Sequence, residues 1–146
     1  GFRIRVVSGT LSETLQRLAN AGVIEWQQGY IVEGEDTSEA SDPVMDAFSG
    51  NAGKECINLA RAAEDAWMLL ACTNDRETNR AIGKFGREQK LLVNVCDARN
   101  ESTFWFPAVG LSDELTMGLV GTGKDHMNVK KAAARLREVI EKKEYK

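Results

Sequence analysis

Phe2 to Val7 (FRIRVV) alternates apolar and basic residues, a period of two that predicts a strand with one covered face. Thr10 with Glu13 three positions later makes a capping box ahead of Leu11, Leu15 and Leu18, which predicts a helix that Ala21 and Gly22 close. Val23 to Trp26 (VIEW) follows as a short strand. Between Lys54 and Asp65 a small-residue helix leads into Trp67 to Cys72 (WMLLAC), an unbroken apolar run expected of a central parallel strand buried on both faces. Asn74 or Asp75 then caps a helix from Arg76 to about Glu88, with Ala81, Ile82 and Phe85 on its apolar side. Leu91 to Val95 (LLVNV) returns as a second buried strand. The alternation of strand and helix places the chain in the α/β class, with a doubly wound parallel sheet.

After Cys96 the pattern changes. Thr103 to Val109 (TFWFPAV) and Leu115 to Val120 (LTMGLV) read as two strands joined by a short turn. A helix from Asn128 to Glu144 follows, with Val129, Ala132, Ala133, Leu136, Val139 and Ile140 on one stripe. A lone hairpin and helix bury such faces poorly, so residues 103–146 are expected to form a dimerisation element behind a first domain of residues 1–102, giving a homodimer. Within that first domain, residues 31–53 read as an exposed acidic insertion, since Glu33 to Pro43 (EGEDTSEASDP) carries almost nothing apolar.

The 146 residues, 42% of them hydrophobic, suit one α/β domain with a small appendage. Nineteen basic against 22 acidic residues give a formal charge of −3, which leaves no positive field for a nucleic-acid backbone. No apolar run reaches the roughly 20 residues of a membrane span, and the first residues are too charged for a signal peptide, so a cytoplasmic protein is expected. Cys56, Cys72 and Cys96 lie far apart without CxxC spacing, and His126 is the one histidine. They read as reduced, mostly buried thiols, and no metal site is assigned.

Ligands of open α/β sheets gather beyond the carboxyl ends of the strands, here Ser8 to Thr10, Thr73 to Asp75 and Cys96 to Ala98. Thr73, Asn74 and Asp75 end a strand and open a helix, a place that suits an anion or a ribose. Helix capping alone would explain Asn74 and Asp75 equally well. Asp97 stands at the mouth of the same cleft, either a turn former or a general base. Gly118 to Asp125 (GLVGTGKD) fits the Gly-x-x-x-x-Gly-Lys part of a P-loop. Asp125, where a hydroxyl should coordinate magnesium, argues against an NTPase.

Taken in order, RVVSGTLSETLQRLANAGVIEW, LLACTNDRETNRAI, LLVNVCDARNESTFWFPAV and LTMGLVGTGK followed by AARLREVIE resemble successive segments of the siroheme synthase family. That family shows V-V-A-P-E, A-T-N-D-x-x-x-N, N-V-V-D before F-x-x-P-A, then S-T-G-G-K-S-P and L-R-E-x-I-E. The resemblance implies a Rossmann-like sheet and NAD-dependent oxidation of precorrin-2 to sirohydrochlorin, with Fe²⁺ insertion in the bifunctional members. It implies Asp97 as the catalytic residue and NAD contacts at Gly9, Thr10, Thr73, Asn74 and Asp75. Gly121, Thr122, Gly123 and Lys124 would lie near the tetrapyrrole. Against the family pattern, Gly9 and Thr10 replace Pro-Glu, and Val120, Gly121, Thr122, Asp125 and His126 disrupt S-T-G-G-K-S-P. The family's opening strand, Gly-rich turn and helix, a unit of about 30 residues, and its C-terminal helical domain have no counterpart in this sequence. Weak NAD⁺ binding by this chain alone is therefore expected, and the alternative to an enzyme is a non-catalytic tetrapyrrole-binding or dimerisation module.

Overall fold

The computed structural model describes residues 1–32 and 55–142, so most of the acidic stretch lies outside the described residues. Three parallel strand pairs come first. β1 (Arg5–Ser8) pairs with β2 (Glu25–Gln28) across α1 (Glu13–Asn20). β3 (Tyr30–Val32) pairs with β4 (Cys56–Asn58), which runs directly into the short α2 (Leu59–Ala62). β5 (Met68–Ala71) pairs with β6 (Leu92–Val95) across α3 (Arg76–Glu88). A 3₁₀ turn at Arg99–Glu101 leads to the antiparallel hairpin of β7 (Ala108–Leu111) and β8 (Thr116–Leu119), and α4 (His126–Glu141) closes the described chain. The expected α/β class and parallel pairing hold, but among the described residues the strands form four separate two-stranded ladders rather than one continuous sheet.

The core lies between α3 and one face of the β5–β6 pair. Ala71, Val93 and Val95 meet Ile82 and Leu59, with Leu69, Phe85 and Leu91 at the edge. Strand alternation puts Leu69, Ala71, Val93 and Val95 on that face and Met68, Leu70, Leu92 and Asn94 on the other. The other face is open: Leu70 is 49% and Leu92 41% exposed. An apolar run therefore did not mean burial on both sides, because α3 covers only one.

Local chemistry moved other boundaries. Ser12, not Thr10, caps α1, accepting a hydrogen bond from the Leu15 amide, and Ala21 with a left-handed Gly22 ends it as expected. The second strand starts at Glu25 rather than Val23, because the Val23 amide is spent closing the helix on Leu18 O. Where a helix was expected after Lys54, β4 comes first, and Asn58 caps α2 by accepting from the Ala60 and Arg61 amides. Thr103 is held by β6, and the strand begins only at Ala108. The final helix starts two residues early because Asp125 caps it through the Asn128 amide. All three cysteines are exposed, which corrects the expectation of buried thiols. Cys72 and Cys96 follow core positions and so fall on the open face, and Cys56 begins β4.

The close approach of α3 to the strands depends on glycine. A Cβ on Gly83 would lie 2.8 Å from Val95 Cγ2, and one on Gly86 would overlap Val93 Cγ2. Overpacking costs about 1–3 kcal/mol, and this overlap is deep enough to exceed the roughly 1 kcal/mol that alanine gains in helix propensity. Gly86→Ala should therefore unfold at lower urea concentration than the parent. Lys84→Ala, on the exposed side of the same helix, should leave the midpoint nearly unchanged.

Candidate functional site

The carboxyl ends of β5 and β6 face the N-terminus of α3, and one buried side chain joins them. Asn79, 1% exposed, lies on the first turn of α3. Its Oδ1 accepts from the Thr73 amide at 2.9 Å and lies 2.8 Å from the Thr73 hydroxyl. Its Nδ2 donates to Thr73 O at 3.0 Å and to Asp97 Oδ2 at 3.1 Å. An amide has two donors and two acceptor lone pairs, and all four are matched here. The Thr73 hydroxyl is also 2.9 Å from Asp75 O, so its single proton is shared between the helix cap and the amide.

Asp97 is thus fixed through one oxygen. The other, Oδ1, lies 3.7 Å from Arg76 Nη1, and Arg76 also pairs with Glu101. The hydrogen bond to Glu101, with Asp97 adding to it, holds the guanidinium on its charged form, above its ordinary range. Arg87 donates to Glu101 O, which secures the turn after Asp97. Glu101 Oε2 is buried and, among the described residues, has no hydrogen-bond partner.

Asp75 caps the helix that its segment opens. Its carboxylate caps α3, accepting from the Thr78 amide at 2.7 Å, and that hydrogen bond pulls its carboxyl below the ordinary value. The N-terminus of α3 therefore already holds an anion, and a phosphate there would meet like charge. Asn74, between Thr73 and the cap, is exposed.

Gly9 and Thr10 end β1. Tyr30 fills the space where a Cβ on Gly9 would stand, Gln28 Nε2 donates to Gly9 O at 3.3 Å, and Ser8 Oγ donates to Thr10 O at 2.8 Å. Among the described residues no hydrogen bond or ion pair joins Gly9 or Thr10 to Thr73 or Asp97. The 121–124 loop is joined to the rim, by a residue the sequence did not single out. Arg99, two residues beyond Asp97, donates from Nη2 to Gly121 O at 2.7 Å and stacks over the Trp105 ring at 4.3 Å. Gly123 has φ +90°, and a side chain there would strike Arg99. Thr122 and Lys124 are exposed. Asp125 is spent capping α4, which fits no phosphate-binding P-loop. A hollow of about 350 Å³ lined by Ala60, Ala63, Ala66, Phe85, Gln89 and Leu91 lies at the far end of α3 and shares no residue with this cluster. The polar convergence, not the hollow, marks the candidate site.

These features define an α/β protein with a polar rim at its strand ends, the usual place for a nucleotide cofactor. A family model described as "Putative NAD(P)-binding" matches residues 1–108. The chain is 27% identical over 140 residues to the "Probable multifunctional siroheme biosynthesis protein HemA" of Ruminiclostridium josui, covering 95% of this chain and 22% of that protein. It is also 27% identical over 132 residues to the siroheme synthase of Xylella fastidiosa, covering 90% and 22%. The solved structure of SirC, a precorrin-2 dehydrogenase, superposes with a TM-score of 0.62 at 17% identity, over 93% of this chain and 53% of that one. The chain belongs to the siroheme synthase family, whose NAD(P)-binding region it matches. It spans about a fifth of the length of these two curated relatives.

The Asp75 cap gives the rim an acid sensitivity with a definite sign. A carboxyl whose folded pKa is depressed contributes stability that is present above its unfolded value, ordinarily 3.8, and is lost as pH falls through the folded value. Asp75→Asn keeps a capping oxygen but does not titrate. Its urea midpoint should fall less than that of the parent between about pH 5 and pH 2. Equal acid losses in the two proteins would show that the cap contributes nothing to the pH dependence.

Proposed function

We propose that this chain serves siroheme biosynthesis by oxidising precorrin-2 to sirohydrochlorin, with NAD⁺ as hydride acceptor and Asp97 as the residue that takes the proton. The observation that carries the reading is Asn79: a buried amide, fully used, that fixes Asp97 Oδ2 and leaves Oδ1 toward the rim beside Arg76. A base must be held in one geometry before substrate arrives, and this arrangement does so without consuming both oxygens.

The residues present fit the uncharged part of a dinucleotide better than its phosphates. Thr73 and exposed Asn74 offer backbone and amide groups suited to a ribose or a nicotinamide carboxamide, whereas the Asp75 carboxylate disfavours phosphate at α3. Thr73 and Asn74 would hold the cofactor on this side of the cleft, with Gly9 and Thr10 as its contacts at the end of β1. When bound, NAD⁺ supplies the hydride acceptor. On the opposite side, Gly121, Thr122, Gly123 and Lys124 would meet the tetrapyrrole. Among the described residues neither Arg99 nor Lys124 has a carboxylate within ion-pair distance, so both charges remain for a substrate rich in carboxylates. Insertion of Fe²⁺, as substrate, into sirohydrochlorin belongs to the same reading, with Asp97 removing the pyrrole protons.

In the protein carrying this sequence, Asp97→Asn should lower precorrin-2 oxidation on the order of 10²-fold, the usual contribution of a general base. Folding should stay near normal, because the amide can still meet Asn79 through its oxygen. Lys84→Ala is the control. Near-parent turnover of Asp97→Asn in both dehydrogenase and chelatase assays would remove Asp97 from catalysis and leave a non-catalytic tetrapyrrole-binding or dimerisation module.

We also propose that residues 103–146 form a dimerisation element behind a domain of residues 1–102. Ala133 and Ile140 of α4 are buried, Ile140 lies against Gly110 of β7, and Arg137 donates to Val109 O at 2.8 Å. Yet Leu111, Met127 and Leu136 stay exposed on this same element, Leu111 at 65%. A homodimer would cover them. Light scattering should give twice the monomer mass at tens of micromolar, a concentration chosen as an order of magnitude for a stable interface. Leu111→Glu should return the monomer, and a parent monomer at that concentration would refute the arrangement.

A further inference from the structure

The strands that deliver Thr73 and Asp97 each place a cysteine one residue earlier. The β5–β6 ladder sets Ala71 opposite Val95 and continues one step, with the Cys96 amide donating to Ala71 O at 2.9 Å. Cys72 and Cys96 are therefore register partners on adjacent parallel strands. Since Ala71 and Val95 point into the α3 core, alternation turns both cysteines to the opposite, open face. Both are exposed, and each thiol donates only to its own strand, Cys72 Sγ to Leu70 O at 3.8 Å and Cys96 Sγ to Asn94 Oδ1 at 3.6 Å, so neither is tied to a distant group. Neighbouring strands lie about 4.8 Å apart, inside the Cα separation of about 4.4–6.8 Å that a disulfide spans.

We propose that Cys72 and Cys96 form a dithiol that a low-molecular-weight disulfide of the glutathione class converts into an intrachain disulfide across the strand ends. In the first step the thiolate of one cysteine attacks one sulfur of the small disulfide. A protein–glutathione S–S bond forms, the original S–S bond breaks, and one glutathione thiolate leaves. In the second step the other cysteine's thiolate attacks the protein sulfur of that mixed disulfide and expels the second glutathione thiolate. Two electrons pass from the cysteine pair to the small disulfide, and the two cysteine protons end on the two glutathione thiols. Although Cys72 keeps contact with solvent, the protein around it pushes its thiol up, with Cys96 beside it adding to the shift. Exchange should therefore quicken as the solution is made more alkaline, since the thiolate is the attacking form. The closed bridge would join the residues immediately before Thr73 and Asp97, which makes the rim a place where redox state and site geometry meet.

The test is a non-reducing tryptic digest of the folded protein after incubation with glutathione disulfide. Peptide 62–76, which carries Cys72, should be joined to peptide 91–99, which carries Cys96, with the loss of two hydrogens. Cys56, on peptide 55–61, should remain outside the bridge. Cys96→Ser should stop at a glutathione adduct on Cys72, and Cys72→Ser at an adduct on Cys96. Asp97→Asn should still form the bridge, which separates this proposal from the fate of the catalytic one. In concentrated urea the preference should vanish, with Cys56 entering bridges as readily as the others. Stable adducts on both Cys72 and Cys96 of the same folded molecule, bridges to Cys56 at equal yield under native conditions, or a bridge found only between two copies would each overturn the proposal.

Discussion

A buried amide has little freedom once its partners are set, and Asn79 has none to spare. Turned over, its NH₂ would face the Thr73 amide, donor against donor, while its oxygen faced the Thr73 carbonyl and the Asp97 carboxylate. The hydrogen bonds thus choose one orientation, and that orientation ties the end of β5, the first turn of α3 and the residue after β6 into one unit. Any group displaced from it would leave a buried donor or acceptor unmet, at about 1–3 kcal/mol. The packing beneath depends on the same contact. Ile82, Gly83 and Gly86 follow Asn79 along the buried face of α3, so the amide sets how far along the strands the helix can slide. The glycines set how near it can come.

The legible part of this arrangement was the part carried by local chemistry. Asp75 as a cap, the extent of α3, the parallel pairing of β5 with β6, and the place of Asp97 beyond a strand end all follow from short-range patterns that the chain obeys. Asn79 was visible only as the last letter of the quoted A-T-N-D-x-x-x-N motif. A stronger signal was present: it lies three and seven residues before Ile82 and Gly86, on the stripe that faces the core, and a polar residue on such a stripe needs partners. Arg76, Arg99 and Glu101 carry no periodic signature. Their roles come from contacts across the fold, between 14 and 25 residues away in sequence, which no local window contains.

The departures in burial share one physical origin. An apolar run reports only what a strand can tolerate, while a covering element decides what it receives. The open face of β5 and β6 therefore exposes Leu70 and Leu92, and leaves Cys72 and Cys96 exposed beyond the strand ends. Among the described residues no backbone hydrogen bonds bridge β1 and β5. Arg5 reaches the carbonyls of Ala62 and Glu64, and the rings of Phe2 and Trp67 lie 5.4 Å apart, so these two parallel pairs are joined by side chains that cross between them.

Arg99 connects the polar rim to the hairpin that follows it. Its guanidinium is held flat by the Trp105 ring and aimed by Gly121 O, while Trp105 Nε1 donates back to Arg99 O at 3.3 Å. A cation fixed by a ring and a carbonyl keeps its charge, since neither partner neutralises it as a carboxylate would. Arg76 is the opposite case, its charge already answered by Glu101 and Asp97. The two arginines therefore divide the work of the rim. One orders the acidic side chains around the candidate base, and the other offers an unspent charge on the side where the loop at Gly121 to Lys124 enters. On the function proposed above, a substrate with several carboxylates would be drawn to the second and not the first, because only the second has a charge that no carboxylate among the described residues already answers.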